Sequence, residues 1–207
     1  MLPPPEGALG MSPEQLRELP GYGTDIAKNR AEARELMKKA GYGPDKRPRV
    51  MLSARNLPSY RDPAAILIDQ LKEVWIDAEL EPVETANWGA KLRRFDFTIA
   101  LSLSGSAVDD PDPQYIENYV CGTLRNYPGF CHAEMDRLIR EQSMQSDPKI
   151  RKEIVFQIER ILAENAVRPV IYYNRAATCR HPAVKGLTVM ANSPYNGWRM
   201  EDVWLDR

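Results

Sequence analysis

A chain of 207 residues is long enough to bury a sizeable core, as one large unit or two small ones. Its 28 Lys and Arg balance 29 Asp and Glu to a formal net charge of -1, which excludes the basic surface of a polyanion binder, so nucleic acid is not an expected partner. No uninterrupted apolar run approaches the roughly 18 residues of a membrane span, and residues 1–20 hold no apolar signal-peptide core, so the sequence taken literally reads as cytosolic.

Residues 1–24 carry LPPPEG and LPGYG and read as a linker or loop, with one short helix over Met11 to Leu19 capped by Ser12 and opened by Pro13. The spacing then predicts a helix over Arg30 to Ala40, with Asn29 as cap, Glu32 three residues on, Gly41 as its end, and Ala33, Leu36, Met37 and Ala40 as its apolar stripe. A strand is expected over Arg49 to Ala54. Asp62-Pro63 opens a helix to Trp75 with Ala64, Leu67, Ile68, Leu71, Val74 and Trp75 on one face. A strand over Ala78 to Glu84, a helix over Asn87 to Arg94 and a strand over Phe95 to Leu103 follow. This alternation implies adjacent parallel strands with helical crossovers, an α/β fold. Helices are expected over Asp112 to Tyr119, Ala133 to Met144, and from Asp147 through Leu162 toward Pro169, the last with Ile150, Ile154, Ile158, Ile161 and Leu162 in one stripe. Strands over Pro169 to Tyr173 and Leu187 to Met190 precede a tail, Ser193 to Arg207, without clear period.

Several clusters invite chemistry. Asp109, Asp110 and Asp112 offer carboxylates for a hard cation, but the glycine turn and distal glutamate of a calcium loop are missing, and Asp-Pro-Asp suits a turn with one Asp capping a helix. Cys131-His132 are sequence neighbours, and the other histidine, His181, has nothing marking it as a base, so a thiol nucleophile is not supported. Three cysteines are compatible with one disulfide and one thiol or with three thiols. In an open α/β sheet ligands lie beyond the carboxyl ends of the strands. That position singles out Ala54 to Tyr60, Thr85 to Trp88 and Ser102 to Asp109, with Arg55 and Asn56 able to hold an acidic or amide group.

The order of Asn29 to Tyr42, the strand before Asp110-Pro111-Asp112, Asn126-Tyr127-Pro128-Gly129-Phe130, Glu134 with Asp136-Arg137-Leu138-Ile139, and Asp147 to Leu162 resembles the C-terminal half of the family 5 extracellular solute-binding proteins, receptors of peptide, opine and nickel ABC importers. The resemblance implies a type II periplasmic-binding-protein-like lobe: a mostly parallel sheet flanked by helices, incomplete relative to a two-lobed parent because family members are far longer. It places a hinge region at 1–28, a C-terminal lobe at 29–169, and a return segment toward an absent N-terminal lobe at 170–207.

The function it implies is binding of a peptide-like or other small solute without catalysis or cofactor, in a periplasmic parent that docks on a membrane permease. The chain by itself would bind weakly or not at all and would tend to self-associate, with Tyr195, Trp198 and Trp204 either exposed or covering a neighbouring copy. Candidate ligand residues are Arg55, Asn56, Tyr60, Trp88, Ser104, Gly105, Ser106, Asp109, Asn126 and Tyr127. Some family members carry a disulfide where Cys121 and Cys131 stand. Two positions depart from the family. Peptide-binding members place an Asp three residues before their Asp-Pro-Asp to hold the peptide's α-amino group, where this chain has Ala107 and, two residues later, Asp109. Val74-Trp75-Ile76 also replaces a Val-Gly-Ile, so the helix end is expected to differ locally. The rival classes are a small α/β hydrolase or metal-dependent enzyme, which needs a convergent nucleophile and base or a metal set, and a structural interaction module.

Overall fold

Strand β1 (Arg49–Arg55) runs one residue past its expected end and organises the unit formed by Gly21–Ser104. It pairs in parallel with β2 (Asp77–Val83) on one side and β3 (Ile99–Leu101) on the other, giving the order β2-β1-β3. Both pairings are the expected parallel ones. In this computed structural model the described residues are 7–105, 108, 110–173, 177–189 and 199–206. Ser106, Ala107, Asp109, Met190, Tyr195 and Trp198, named above, lie outside them.

Parallel neighbours need crossovers, and α3 (Pro58–Lys72) and α4 (Thr85–Arg93) follow β1 and β2 as those crossovers. Helix α3 buries Tyr60 and Ala64 against Leu52 and Ala54 of β1, with Leu67, Ile68, Leu71, Leu80, Ile99 and Leu101 around them. It starts four residues before the expected Asp62-Pro63. Pro58 is equally suited to a first helical position, and Pro63 inside the helix forgoes only the bond to the Ser59 carbonyl while the buried stripe carries the helix on. Helix α4 buries Trp88 and Leu92. Strand β3 is much shorter than the expected 95–103, because Phe95 and Asp96 close α4 instead: their amides donate to the Leu92 and Lys91 carbonyls at 3.1 and 3.2 Å.

Helix α2 (Ile26–Lys39) also begins early. Asp25, not Asn29, caps it by accepting from the Lys28 amide at 2.9 Å, while the Asn29 side chain donates to the Gly23 carbonyl at 2.8 Å. Its end is a Schellman turn at Gly41, with the Tyr42 amide on the Met37 carbonyl at 3.0 Å. The same turn recurs with other residues in the left-handed position. Trp75 takes φ 67 with Ile76 bonded to Leu71, Phe95 takes φ 55, and Ala166 takes φ 50 with Val167 bonded to Leu162. The left-handed cap is therefore formed at Trp75 although no glycine stands there. The Trp75 ring lies beneath the Arg34 and Lys38 cations at 6.0 and 5.9 Å, which offsets the strain of its backbone.

The second unit comprises the described residues of Met1–Pro20 and Gly105–Arg207. Here α1 (Pro13–Leu16) carries a full capping box between Ser12 and Gln15, and Met11 and Leu19 flank it, buried. Helices α5 (Pro111–Tyr119), α6 (Ala133–Met144) and α7 (Pro148–Glu164) follow their expected ranges closely. Their core is Tyr115, Met135, Leu138, Ile139, Ile154, Val155 and Ile158. The Tyr115 hydroxyl donates to Glu159, and burial, with the Glu159 charge added, raises its pKa well above the ordinary tyrosine value.

The strands expected at 169–173 and 187–190 are not present among the described residues. Val170, Ile171, Tyr172 and Tyr173 are exposed instead. The strand pair that forms is β4 (Val184–Lys185) antiparallel to β5 (Trp204–Leu205), next to Gly186, where a Cβ would overlap the Asp202 carbonyl. No helix among the described residues is long and apolar enough to cross a membrane.

Candidate functional site

The parallel register ends at Arg55 opposite Val83, so the carboxyl ends of β1 and β2 lie side by side and the first turns of α3 and α4 begin there. Neither helix is capped by a side chain. Leu57, the N-cap of α3, has no polar atom to offer, and Glu84, the N-cap of α4, accepts from Asn56 Nδ2 at 2.7 Å rather than from the helix. Arg55 stands at this edge. Its guanidinium lies over the Tyr60 ring at 5.2 Å, Nη1 donates to the Tyr60 hydroxyl at 3.2 Å and Nη2 to Thr85 Oγ1 at 3.3 Å. Arg55 Nε is buried and has no hydrogen-bond partner. A buried guanidinium N–H without an acceptor is costly, and an anion or carbonyl oxygen would satisfy it.

Asn56 is already engaged on both sides, since its Oδ1 accepts from Arg61 at 3.2 Å. Tyr60 and Trp88 are each 7% exposed, so their rings serve the packing of this unit first. The reverse face of the sheet carries Ser53, fully buried and donating to Glu81, which Lys91 also holds at 2.9 Å. Those two partners keep the Glu81 carboxyl below its ordinary range. Full burial denies Ser53 to any substrate.

In the other unit, Asp110 caps α5 by accepting from the Asp112 amide at 2.9 Å and pairs in bidentate fashion with Arg151 at 2.7 and 2.8 Å. Asp112 accepts from Gln142 Nε2 at 2.6 Å, and Gln142 Oε1 in turn accepts from Arg151. Burial opposes the charge on Asp110, but the Arg151 and Asp112 donors outweigh it, and its carboxyl stays below the ordinary value. These carboxylates are spent on capping and locking α5, α6 and α7 together. No metal-holding group of three His, Cys, Asp or Glu occurs among the described residues.

Cys121 and Cys131 are bridged, leaving Cys179 as an exposed thiol. His132 caps α6, its Nδ1 accepting from the Met135 amide at 3.2 Å, and its ring stacks on Phe130. Inside the disulfide loop Asn126 is 5% exposed and donates to the Phe130 and Val120 carbonyls at 2.8 and 3.3 Å, while its Oδ1 is buried without a partner. Tyr127 faces the Arg168 guanidinium at 5.7 Å, and Tyr119 faces it at 5.6 Å. Arg168, which no motif marks, has a buried Nη1 without a partner and sits at φ 93 immediately before Pro169. A non-glycine residue there costs about 1–3 kcal/mol. Ser104 and Gly105 are exposed.

Residues 5–125 match the family model described as Bacterial extracellular solute-binding proteins, family 5 Middle. The chain belongs to this family. Among family 5 relatives, the dipeptide-binding protein DppE of Bacillus subtilis (strain 168) is 28% identical over 178 residues, which is 80% of this chain and 31% of DppE. Two solved structures share the fold. Haemophilus influenzae OppA, in complex with RPPGFSPFR, has a TM-score of 0.75 at 19% identity over 91% of this chain and 37% of OppA. The ABC transporter substrate-binding protein CtaP of Listeria monocytogenes has a TM-score of 0.63 at 23% identity over 79% of this chain and 32% of CtaP. The chain thus spans about a third of the length of these family 5 proteins.

Proposed function

We propose that this chain supplies part of the solute-recognition surface of a periplasmic receptor for an ABC-type importer, with the solute held at the carboxyl edge of β1 and β2. The carrying observation is Arg55, a guanidinium stacked on Tyr60 at the ligand-binding edge of a parallel sheet, with a buried N–H lacking an acceptor. Two uncapped helix N-termini at the same edge add positive potential. The solute is a small peptide-like or other molecule that offers Arg55 an acidic or amide oxygen. Asn56, Tyr60, Trp88 and Ser104 are the other candidates in this unit, and Gly105, Ser106, Asp109, Asn126 and Tyr127 remain separate candidates from the sequence of the second. Ala107, standing where peptide-binding members place the Asp that holds an α-amino group, argues against a solute recognised through an α-amino group.

The chemistry is binding, not catalysis. The parent receptor closes over its solute and docks on a membrane permease, with residues 29–169 in one lobe and 170–207 returning toward the other. A chain that spans a third of its relatives offers one wall of a two-walled site, so its affinity for solute is weak.

Calorimetric titration with dipeptides, opines and dicarboxylates tests this. The expected result is weak binding of the acidic members, lowered by roughly tenfold or more in Arg55→Met, as befits one charged hydrogen-bond donor. Binding that ignores Arg55→Met, or sub-micromolar binding by a strict monomer, would contradict it.

A further inference from the structure

Among the described residues, the buried side-chain polar atoms without a partner are Arg55 Nε, Arg168 Nη1 and Asn126 Oδ1. Two of them are guanidinium donors, and both guanidiniums lie against tyrosine faces. Other arginines in this fold are differently placed: Arg137 is held by Glu134 and Glu141, Arg151 by Asp110 and Gln142, and Arg125 pairs with Glu117 at the surface. The Arg168 guanidinium lies over the Tyr119 and Tyr127 rings at 5.6 and 5.7 Å, and the Asn126 amide ties down the disulfide loop that carries Tyr127. Arg168 Nη1 has no acceptor, and the N–H fork of a guanidinium matches the two oxygens of a carboxylate. Arg168 holds φ 93 immediately before proline, a strained backbone for a residue other than glycine.

We propose that Arg168, with Tyr119 and Tyr127, forms an oxyanion-binding point in this unit, specific for a carboxylate-bearing group of the solute. It rests on the solute-receptor reading above and extends it by naming the solute class: a molecule whose recognised groups are anionic. Arg168 acts here through direct contact with the solute and not as a structural peg.

The test is a heteronuclear NMR titration of the labelled chain with glutarate, with inorganic phosphate and with tetramethylammonium as separate probes. Glutarate is expected to shift the Arg168 side-chain, Asn126 and Tyr127 resonances along a saturable curve, phosphate more weakly, and tetramethylammonium not at all. Arg168→Gly suits the backbone at this position, so it removes the guanidinium without threatening the fold. It is expected to weaken the glutarate response at least tenfold, and Arg168→Lys to recover part of it. An unchanged response in Arg168→Gly, no saturable response in the parent chain, or equal responses to glutarate and phosphate would each overturn the proposal. The Arg55 resonances in the same spectra keep the two readings separate. Response at Arg55 with silence at Arg168 sinks only this inference, response at Arg168 with silence at Arg55 sinks the solute edge at β1, and silence at both sinks both.

Discussion

Ala166 occupies the left-handed position of a Schellman turn that Gly41 fills without strain at the end of α2. Ala166 is exposed, so Ala166→Gly is expected to stabilise the chain by about 1 kcal/mol. Gly41→Ala, in open space but at φ 82, is expected to destabilise it by a similar amount. Urea midpoints at unchanged m report both. Asp110 supplies a pH dependence. Its folded pKa is depressed, so its contribution is present above the unfolded carboxylate value of roughly 4 and is lost as pH falls through the folded value. Asp110→Asn should flatten stability below that pH, and Arg151→Met should cost about 1–2 kcal/mol at neutral pH, discounted because water reaches part of the pair. Denaturation across an acid series separates these outcomes. The capping role of Asp110 was legible in Asp-Pro-Asp, whereas the fit of Trp75 to its turn was not. Its partners Arg34 and Lys38 belong to another helix, and local sequence carries no trace of such a contact.

Helices α5, α6 and α7 were legible almost to the residue because each begins at a distinct cap and has one apolar stripe. Starts of α2 and α3 were misplaced where two valid signals stood a few residues apart: Asp25 and Asn29, Pro58 and Pro63. For α2 the Asp25 cap sets the start, whereas for α3, which has no side-chain cap, burial of Tyr60 ahead of Asp62 does. The 170–173 run has strand composition but no partner strand among the described residues, and a strand exists only by pairing. For the disulfide loop, thiol counting on denatured, unreduced protein should return the single thiol of Cys179, and three thiols would contradict the bridge. Reduction should lower stability by about 2–3 kcal/mol, because the loop enclosed is short. It should also loosen the Asn126 contacts that lie inside the loop.

The α/β class and the family were readable from the order of elements and motifs, since parallel pairing follows from the alternation of strand and helix. The sheet-edge part of the site was readable for the same reason: topology alone places Arg55 at a carboxyl edge. Arg168 was not, because its significance comes from two tyrosines distant in sequence and from a backbone angle. Val170, Ile171, Tyr172, Trp204 and Leu205 leave apolar surface exposed, so the chain is expected to self-associate with rising concentration, as sedimentation velocity would show. A strict monomer at all concentrations would contradict that. Solute recognition at the β1 edge is tested most directly by photo-crosslinking with a diazirine-bearing acidic dipeptide, followed by peptide mapping. Adducts should fall on residues 55–60 and 85–88 and disappear in Arg55→Met. Adducts confined to other segments, or the same adducts in Arg55→Met, would contradict a solute site built on Arg55.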